Sequence, residues 1–158
     1  MSARIRLLAL VLGLTGALLS VPSALATGGH HADKASHIHF IGLSNNPKSN
    51  SGDPVIGLGV IHAKGVDKVI TNHKDRFVFP AGVVVVKHHR TGQGGHFDKK
   101  ACYGVFTEHG TWKAVGGTRA YANASGGGTY KVKGTVVGCK GKPDLFQLRI
   151  DATGNLHF

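Results

Sequence analysis

The stretch Thr129-Tyr130-Lys131-Val132-Lys133-Gly134-Thr135-Val136-Val137 contains the alternation that decides the fold of this chain. Successive side chains of a β-strand point to opposite faces, so Tyr130 and Val132 share one face while Lys131 and Lys133 share the other. A segment with one apolar and one polar face is typical of an antiparallel sheet that covers a core on one side. The stretch therefore predicts a half-buried β-strand.

The chain beyond residue 36 repeats this pattern and has no helical periodicity. Residues 145–151, LFQLRID, alternate in the same way, and other short β-prone runs lie between glycine-rich turns. Without helices to cover the sheet edges, closure into an antiparallel β-barrel of eight or nine strands is the simplest arrangement, with a β-sandwich as the alternative. The predicted strands are His37–Leu43, Val55–Ala63, Asp67–Asn72, Arg76–Phe79, Gly82–Arg90, Ala101–Glu108, Thr111–Val115, Thr129–Val137 and Leu145–Ala152.

Three glycine-containing segments predict sharp turns between these strands. Glu108-His109-Gly110 lies between two predicted strands and indicates a tight hairpin. Ala152-Thr153-Gly154-Asn155 indicates a second hairpin before a short last strand. Gly126-Gly127-Gly128 predicts a turn before the Tyr130 strand.

The N-terminal segment has the features of an export signal. Arg4 and Arg6 precede an apolar run, Leu7–Leu19, that is too short for a membrane span, and the small residues Ala24 and Ala26 precede the expected cleavage site. An uncleaved anchor is the alternative, and no later segment predicts a transmembrane span. We therefore expect an extracellular protein in which residues 1–26 are a signal peptide, 27–36 a flexible tail and 37–158 a single β-barrel domain.

Cys102 and Cys139 are the only cysteines in the sequence. Two cysteines in one small exported domain most often pair, so we predict a disulfide that stabilises the fold by roughly 3–4 kcal/mol. The alternative is a free nucleophilic thiol.

The segment from His96 to Val137 carries a family resemblance. Its core, GTWKAVGGTRAYANASGGGTY, is similar to a pattern in small exported proteins of the actinobacterial type. Those proteins look like members of the allene oxide cyclase barrel-like group, which includes the plant dirigent proteins. Arg119 and Asn123 stand where the pattern has glycine. The matching positions are Gly116, Gly117, Thr118, Tyr121, Ala122 and Ala124.

This resemblance implies an eight-stranded antiparallel barrel with a central cavity, and it leaves self-association open because dirigent-type barrels often associate. Our first hypothesis is a non-enzymatic barrel that binds a small apolar ligand in this cavity. The alternative is a cyclase-like isomerase, for which Glu108 and Arg119 are the candidate catalytic residues, although the turn predicted beside Glu108 favours a rim position. The predicted ligand-lining side chains are Val83, Val85, Phe106, Tyr130 and Val132.

The charge of the chain suggests a second kind of partner. Lys and Arg number 19 against 8 Asp and Glu, which gives a net charge of +11. The stretch Lys87–Arg90, together with Lys99 and Lys100, predicts salt-sensitive binding to an anionic polymer at the cell surface, with a merely solvated surface as the alternative.

Histidines are the only candidate metal ligands. His37 and His39 share one face of a predicted strand, a spacing that zinc sites on sheets use. No cysteine is left free and no carboxylate stands beside these histidines in the sequence, so they are more simply explained as polar residues on a solvated face. We predict no metal and no cofactor.

Overall fold

The computed structural model of the protein describes residues 36–46, 52–139 and 143–158. These residues form a closed barrel of eight antiparallel strands, in which each strand pairs with the next and the last pairs with the first. The predicted barrel is confirmed, and the β-sandwich alternative is wrong. The strands are β1 (Ser36–Ser44), β2 (Asp53–Gly59), β3 (Ala63–Thr71), β4 (Lys74–Phe79), β5 (Gly82–Asp98), β6 (Tyr103–Arg119), β7 (Ser125–Val137) and β8 (Leu145–His157).

The predicted signal peptide and all of the predicted tail except Ser36 lie outside the described residues. Within the described residues, no helix has the length and apolar character that a bilayer crossing requires.

The core lies inside the barrel and follows the alternation that the sequence predicts. On β7, Tyr130 and Val132 are buried while Lys131 and Lys133 are exposed. One end of the barrel is filled with large apolar side chains, because the chain between β6 and β7 folds across it. The side chains at this filled end are Ile38, Ile61, Phe79, Tyr121 and Leu156.

The other end is asymmetric, because four strands are much longer than the rest. The pairing of β4 with β5 stops at Lys74 and Lys87, whereas β5 continues to Asp98. Strands β5 to β8 therefore extend past the short strands as a curved wall. Cys102 and Cys139 form the predicted disulfide at the tip of this wall, with their Cα atoms 5.1 Å apart.

The structure overturns all three predicted glycine turns. Residues 108–110 lie within β6, residues 126–128 within β7, and residues 152–155 within β8. A Cβ on Gly110 would collide with the His89 carbonyl oxygen and come within 2.7 Å of the Tyr130 ring. Gly128 and Gly154 face each other in register, and each leaves room for the other's backbone. These glycines permit close packing of neighbouring strands, which the sequence pattern does not distinguish from turns.

Candidate acid–base site in the barrel cavity

A cavity of about 100 Å³ occupies the barrel between the filled end and the long wall. Its floor is apolar, with Phe40, Phe77, Val86 and Trp112 among the lining residues. Its upper part carries five polar side chains from five different strands. These are Asp67, Asp75, His88, Glu108 and Tyr130.

Strand alternation brings the polar groups inward, because each is in phase with residues of the core. Asp75 lies on the same face of β4 as Phe77 and Phe79. His88 likewise follows the buried Val84 and Val86 on β5. Three of the chain's eight acidic residues therefore line the cavity of a protein whose net charge is +11.

Asp67 has a strongly perturbed carboxyl group. Its Oδ1 atom is buried and makes no hydrogen bond to any described residue. Burial, reinforced by the negative charges of Asp75 and Asp53, raises the pKa of Asp67 from 3.8 to about 7, while His88 acts in the opposite direction. Asp53 directly opposes Asp67 in the β2–β3 register. The carboxyl group of Asp67 is therefore close to half protonated near neutral pH.

His88 and Asp75 form a hydrogen-bonded pair in the cavity. The Nε2 atom of His88 lies 3.2 Å from Oδ2 of Asp75. This hydrogen bond raises the pKa of His88 above 6.5, with further help from the charges of Asp75, Glu108 and Asp67, although burial opposes the shift. The imidazole ring also stands edge-to-face with Tyr130, with the ring centroids 5.9 Å apart.

Tyr130 and Glu108 form a third polar contact in the cavity. The Tyr130 hydroxyl donates a hydrogen bond of 2.7 Å to Oε1 of Glu108. Burial and this hydrogen bond raise the pKa of Tyr130 above its usual range. Arg90 lies 3.6 Å from the other carboxylate oxygen of Glu108. The Arg90 side chain is 55% exposed and that of Glu108 is 29% exposed, so this end is the mouth of the cavity.

The structure places the two candidate catalytic residues, Glu108 and Arg119, in different parts of the barrel. Glu108 lies inside β6 and lines the cavity, so the turn that favoured a rim position for it is wrong. Arg119 is exposed where β6 ends opposite Gly82, beside the filled end of the barrel. Its φ of 54° places it in the left-handed region, where the resembling pattern has glycine.

Two of the five predicted ligand-lining residues face away from the cavity, because the inward-facing positions of their strand are offset by one residue from those predicted. Val83 and Val85 lie on the opposite face of β5 from the buried Val84 and Val86, so their prediction as interior residues is wrong. A strand of consecutive valines gives no alternation from which to choose the inner face. Tyr130 and Val132 line the cavity. Phe106 packs against the edge of the core and stacks on Phe146 of the long wall.

The candidate metal ligands lie on the outside of the barrel. His37 is exposed, and His39 contacts Asp151, with 3.1 Å between its Nε2 atom and the carboxylate Oδ1. Within the ranges that the structure describes, no three His, Cys, Asp or Glu side chains group in a way that could hold a metal ion.

Sequence reasoning missed Asp67, Asp75 and His88 as site residues. A signal was present, because Asp75 alternates with two phenylalanines in the run Asp75-Arg76-Phe77-Val78-Phe79. His88 was assigned to a basic surface stretch that the strand splits between its two faces. Lys87 and His89 are exposed, whereas His88 lines the cavity.

Comparison with known proteins gives no match to a family model, a curated protein or a solved structure.

Proposed function

We propose that the protein is a cofactor-independent acid–base catalyst of the isomerase or cyclase type, acting on a small, largely apolar substrate held in the barrel cavity. The observation that supports this most directly is the Asp67 carboxyl group, whose buried Oδ1 has no hydrogen-bond partner among the described residues. An oxygen so placed is available to a bound substrate. The resemblance to the allene oxide cyclase barrel-like group is consistent with this reaction class.

The proposed roles follow from the protonation behaviour of each group. Asp67 exchanges a proton with the substrate, because a group with a pKa near the working pH can both accept and donate one. His88, whose pKa is raised by its hydrogen bond to Asp75, is the second proton-exchanging group in the cavity. The Tyr130–Glu108 pair, with Arg90, borders the mouth through which substrate enters.

The stability of the fold gives a second argument for a functional role. An apolar interior destabilises the charged form of a carboxyl group that is buried in it. A core with a purely structural role therefore gains no stability from such a group. Strongly perturbed carboxyl groups in cavities are therefore concentrated at functional sites. A simple carrier of apolar ligands needs volume and an apolar lining, and it does not need such a group.

We also propose that the protein acts outside the cytoplasm, after cleavage of a signal peptide near Ala26. The Cys102–Cys139 disulfide is compatible with an extracellular location, because such bonds persist in oxidising compartments.

The test uses 5-nitrobenzisoxazole, a small, mainly apolar compound that opens when a base removes its carbon-bound proton. The carboxylate takes the proton, the electron pair of the C–H bond forms the nitrile, and the N–O bond breaks to give a coloured phenolate. We expect turnover above that of free acetate, rising with pH through about 7 as Asp67 ionises.

Asp67→Asn is the deciding variant, and Asp98→Asn is its matched control. Asp98 lies at the β5–β6 turn, where its Oδ1 accepts hydrogen bonds from the backbone of Lys100 and Ala101, and an asparagine retains that acceptor. We expect the first variant to lose turnover and the second to retain it. Wild-type turnover no faster than acetate, with the compound still bound, would overturn catalysis and favour a ligand carrier.

A further inference from the structure

The outer wall of the barrel carries a row of three lysines on adjacent strands. In the register of the sheet, Lys74 of β4 lies directly opposite Lys87 of β5, and Lys87 lies directly opposite Lys113 of β6. All three alternate with inward-facing residues, so their side chains share the outer face. Lys68 and Arg76 form another directly opposed pair beside the row.

This arrangement is electrostatically unfavourable in the free protein. Neighbouring strands lie about 4.8 Å apart, and like charges directly opposite each other across strands are destabilising. None of the acidic residues that the structure describes lies beside the row on the outer face to neutralise its charge. Asp151 lies on the outer face of β8, where it contacts Arg149 and His39. Asp98 ends β5, and Asp144 lies in the connection before β8. The other described acidic residues, Asp53, Asp67, Asp75 and Glu108, lie on inward-facing strand positions.

A shallow depression of about 290 Å³ adjoins the lysine row. The residues that border it are Lys87, Lys113, His73, His88, His89, Thr111 and Trp112. The imidazole and hydroxyl groups can donate hydrogen bonds to oxygen atoms, and the ammonium groups supply charge. Such a combination suits a phosphate group, which accepts several hydrogen bonds while it neutralises more than one cation.

We propose that the row Lys74–Lys87–Lys113 and its adjoining depression bind a linear phosphate-rich polymer, which anchors the barrel while the cavity stays open. The three lysines alternate with the cavity residues and do not line the cavity, although His88 and Trp112 border both the cavity and the depression. It shares Lys87 and His89 with the surface expected from the sequence and adds Lys74 and Lys113 from the neighbouring strands. Lys99 and Lys100 lie at the hairpin tip, far along β5 from the row.

The shape and composition of the surface favour a phosphate chain over other polyanions. The row follows the curvature of a closed barrel, so a flexible chain can contact all three lysines, whereas a flat membrane meets a convex wall at fewer points. Trp112 borders the depression but is only 4% exposed, so it does not offer a ring face for the base stacking that single-stranded nucleic acid uses.

The experiment titrates the protein with short-chain inorganic polyphosphate at several salt concentrations. The row variant is Lys74→Gln/Lys87→Gln/Lys113→Gln, and the charge-matched control is Lys64→Gln/Lys99→Gln/Lys100→Gln. Each phosphate contact releases counterions and contributes about 0.7–0.9 to the slope of log K against log salt. We therefore expect the row variant to lose about 2–3 from this slope and to bind roughly 100-fold more weakly at about 0.1 M salt, with little change in the control.

The same titrations distinguish a specific phosphate site from attraction by net charge alone and from binding to a membrane or to nucleic acid. Equal weakening in the two triple variants would show that only net charge matters and would overturn the site. Tighter binding to phosphatidylglycerol vesicles or to single-stranded DNA than to polyphosphate, lost in the row variant, would overturn the choice of polymer. We expect the row variant to keep full turnover of 5-nitrobenzisoxazole, so failure of the catalytic proposal leaves this test intact.

Discussion

At the scale of single residues, Asp67 links the stability of the barrel to pH. Its pKa of about 7 in the folded chain exceeds its ordinary value of 3.8, so the folded state binds the proton more tightly. The stability that this proton provides is fully present below about pH 4 and is lost as the pH rises through about 7. Asparagine resembles the protonated acid and does not ionise. We expect Asp67→Asn to raise the free energy of unfolding by up to about 4 kcal/mol at about pH 8, because one pKa unit corresponds to 1.36 kcal/mol.

Urea denaturation of both proteins at several pH values measures this difference. The gain should shrink towards zero below about pH 3, under the ordinary pKa of 3.8, where Asp67 is protonated in the folded and unfolded chains alike. Asp98→Asn, in an exposed turn, should show no such gain. A loss of stability in Asp67→Asn at about pH 8 would contradict the assignment of a destabilised carboxylate to the cavity.

Tyr130 provides the second prediction at this scale. Its hydroxyl donates to Glu108, and hydrogen bonds to charged groups contribute about 1.5–3 kcal/mol. Since the side chain of Glu108 is 29% exposed and water can replace part of this contact, we expect Tyr130→Phe to cost about 1–2 kcal/mol in denaturant unfolding. Tyr103→Phe is the control, because Tyr103 is 45% exposed. Equal effects of the two substitutions would show that the Tyr130–Glu108 contact does not stabilise the fold.

At the scale of the strands, Gly110 tests whether glycine in β6 serves packing. A Cβ there would collide with the carbonyl oxygen of His89 across the β5–β6 ladder. We expect Gly110→Ala to lower the free energy of unfolding by about 2–3 kcal/mol, the upper part of the usual range for overpacking. Gly94→Ala, in the same ladder, is the matched control, because its Cβ would meet only Thr107 Oγ1 at 3.4 Å. If thermal or urea unfolding of the two variants agrees within error, the close approach at Gly110 is not a constraint.

Much of the strand pattern could be predicted from the sequence, because alternation of side chains is a local property. Seven of the nine predicted strands each correspond to one strand of the barrel, whereas Ala101–Glu108 and Thr111–Val115 merge into β6. The prediction placed a turn at Gly110, but this glycine continues the strand. Its lack of a side chain lets β6 approach β5 closely. Whether a glycine turns the chain or lets two strands approach depends on the neighbouring strand, and the local sequence does not contain that information.

The candidate site was less predictable than the fold for a related reason. Asp67, Asp75 and His88 come from three strands, and only the register between those strands brings them together. Glu108 was identified because it is the only glutamate. Its role as the partner of Tyr130 depends on the β6–β7 pairing that places it opposite Val132. The sequence therefore predicted two polar members of the site, Glu108 and Tyr130, but not the geometry that joins them.

At the scale of the whole molecule, the charges are separated by the barrel wall. Carboxyl groups line the cavity, and lysines form a row on the outer surface of β4 to β6. Strand alternation produces this separation directly, as in Lys74-Asp75 and Lys87-His88, where consecutive residues face opposite sides. The same short segments can therefore supply both proposed activities, with the proton chemistry inside and the attachment outside.

The disulfide gives a prediction for the stability of the whole barrel. Cys102 and Cys139 are 37 residues apart in sequence and join the start of β6 to the end of β7. The bond restricts the unfolded chain, so we expect Cys102→Ser/Cys139→Ser to lower the free energy of unfolding by roughly 3–4 kcal/mol. Oxidised and reduced wild-type protein provide the control, because reduction should reproduce the loss seen in the variant. If the variant unfolds at the same urea concentration as the oxidised protein, the tip of the long wall opens before the barrel does and the bond adds nothing to global stability. Turnover of 5-nitrobenzisoxazole should survive in the variant below its unfolding transition, because the cavity residues Asp67, Asp75 and His88 lie on strands that the disulfide does not join.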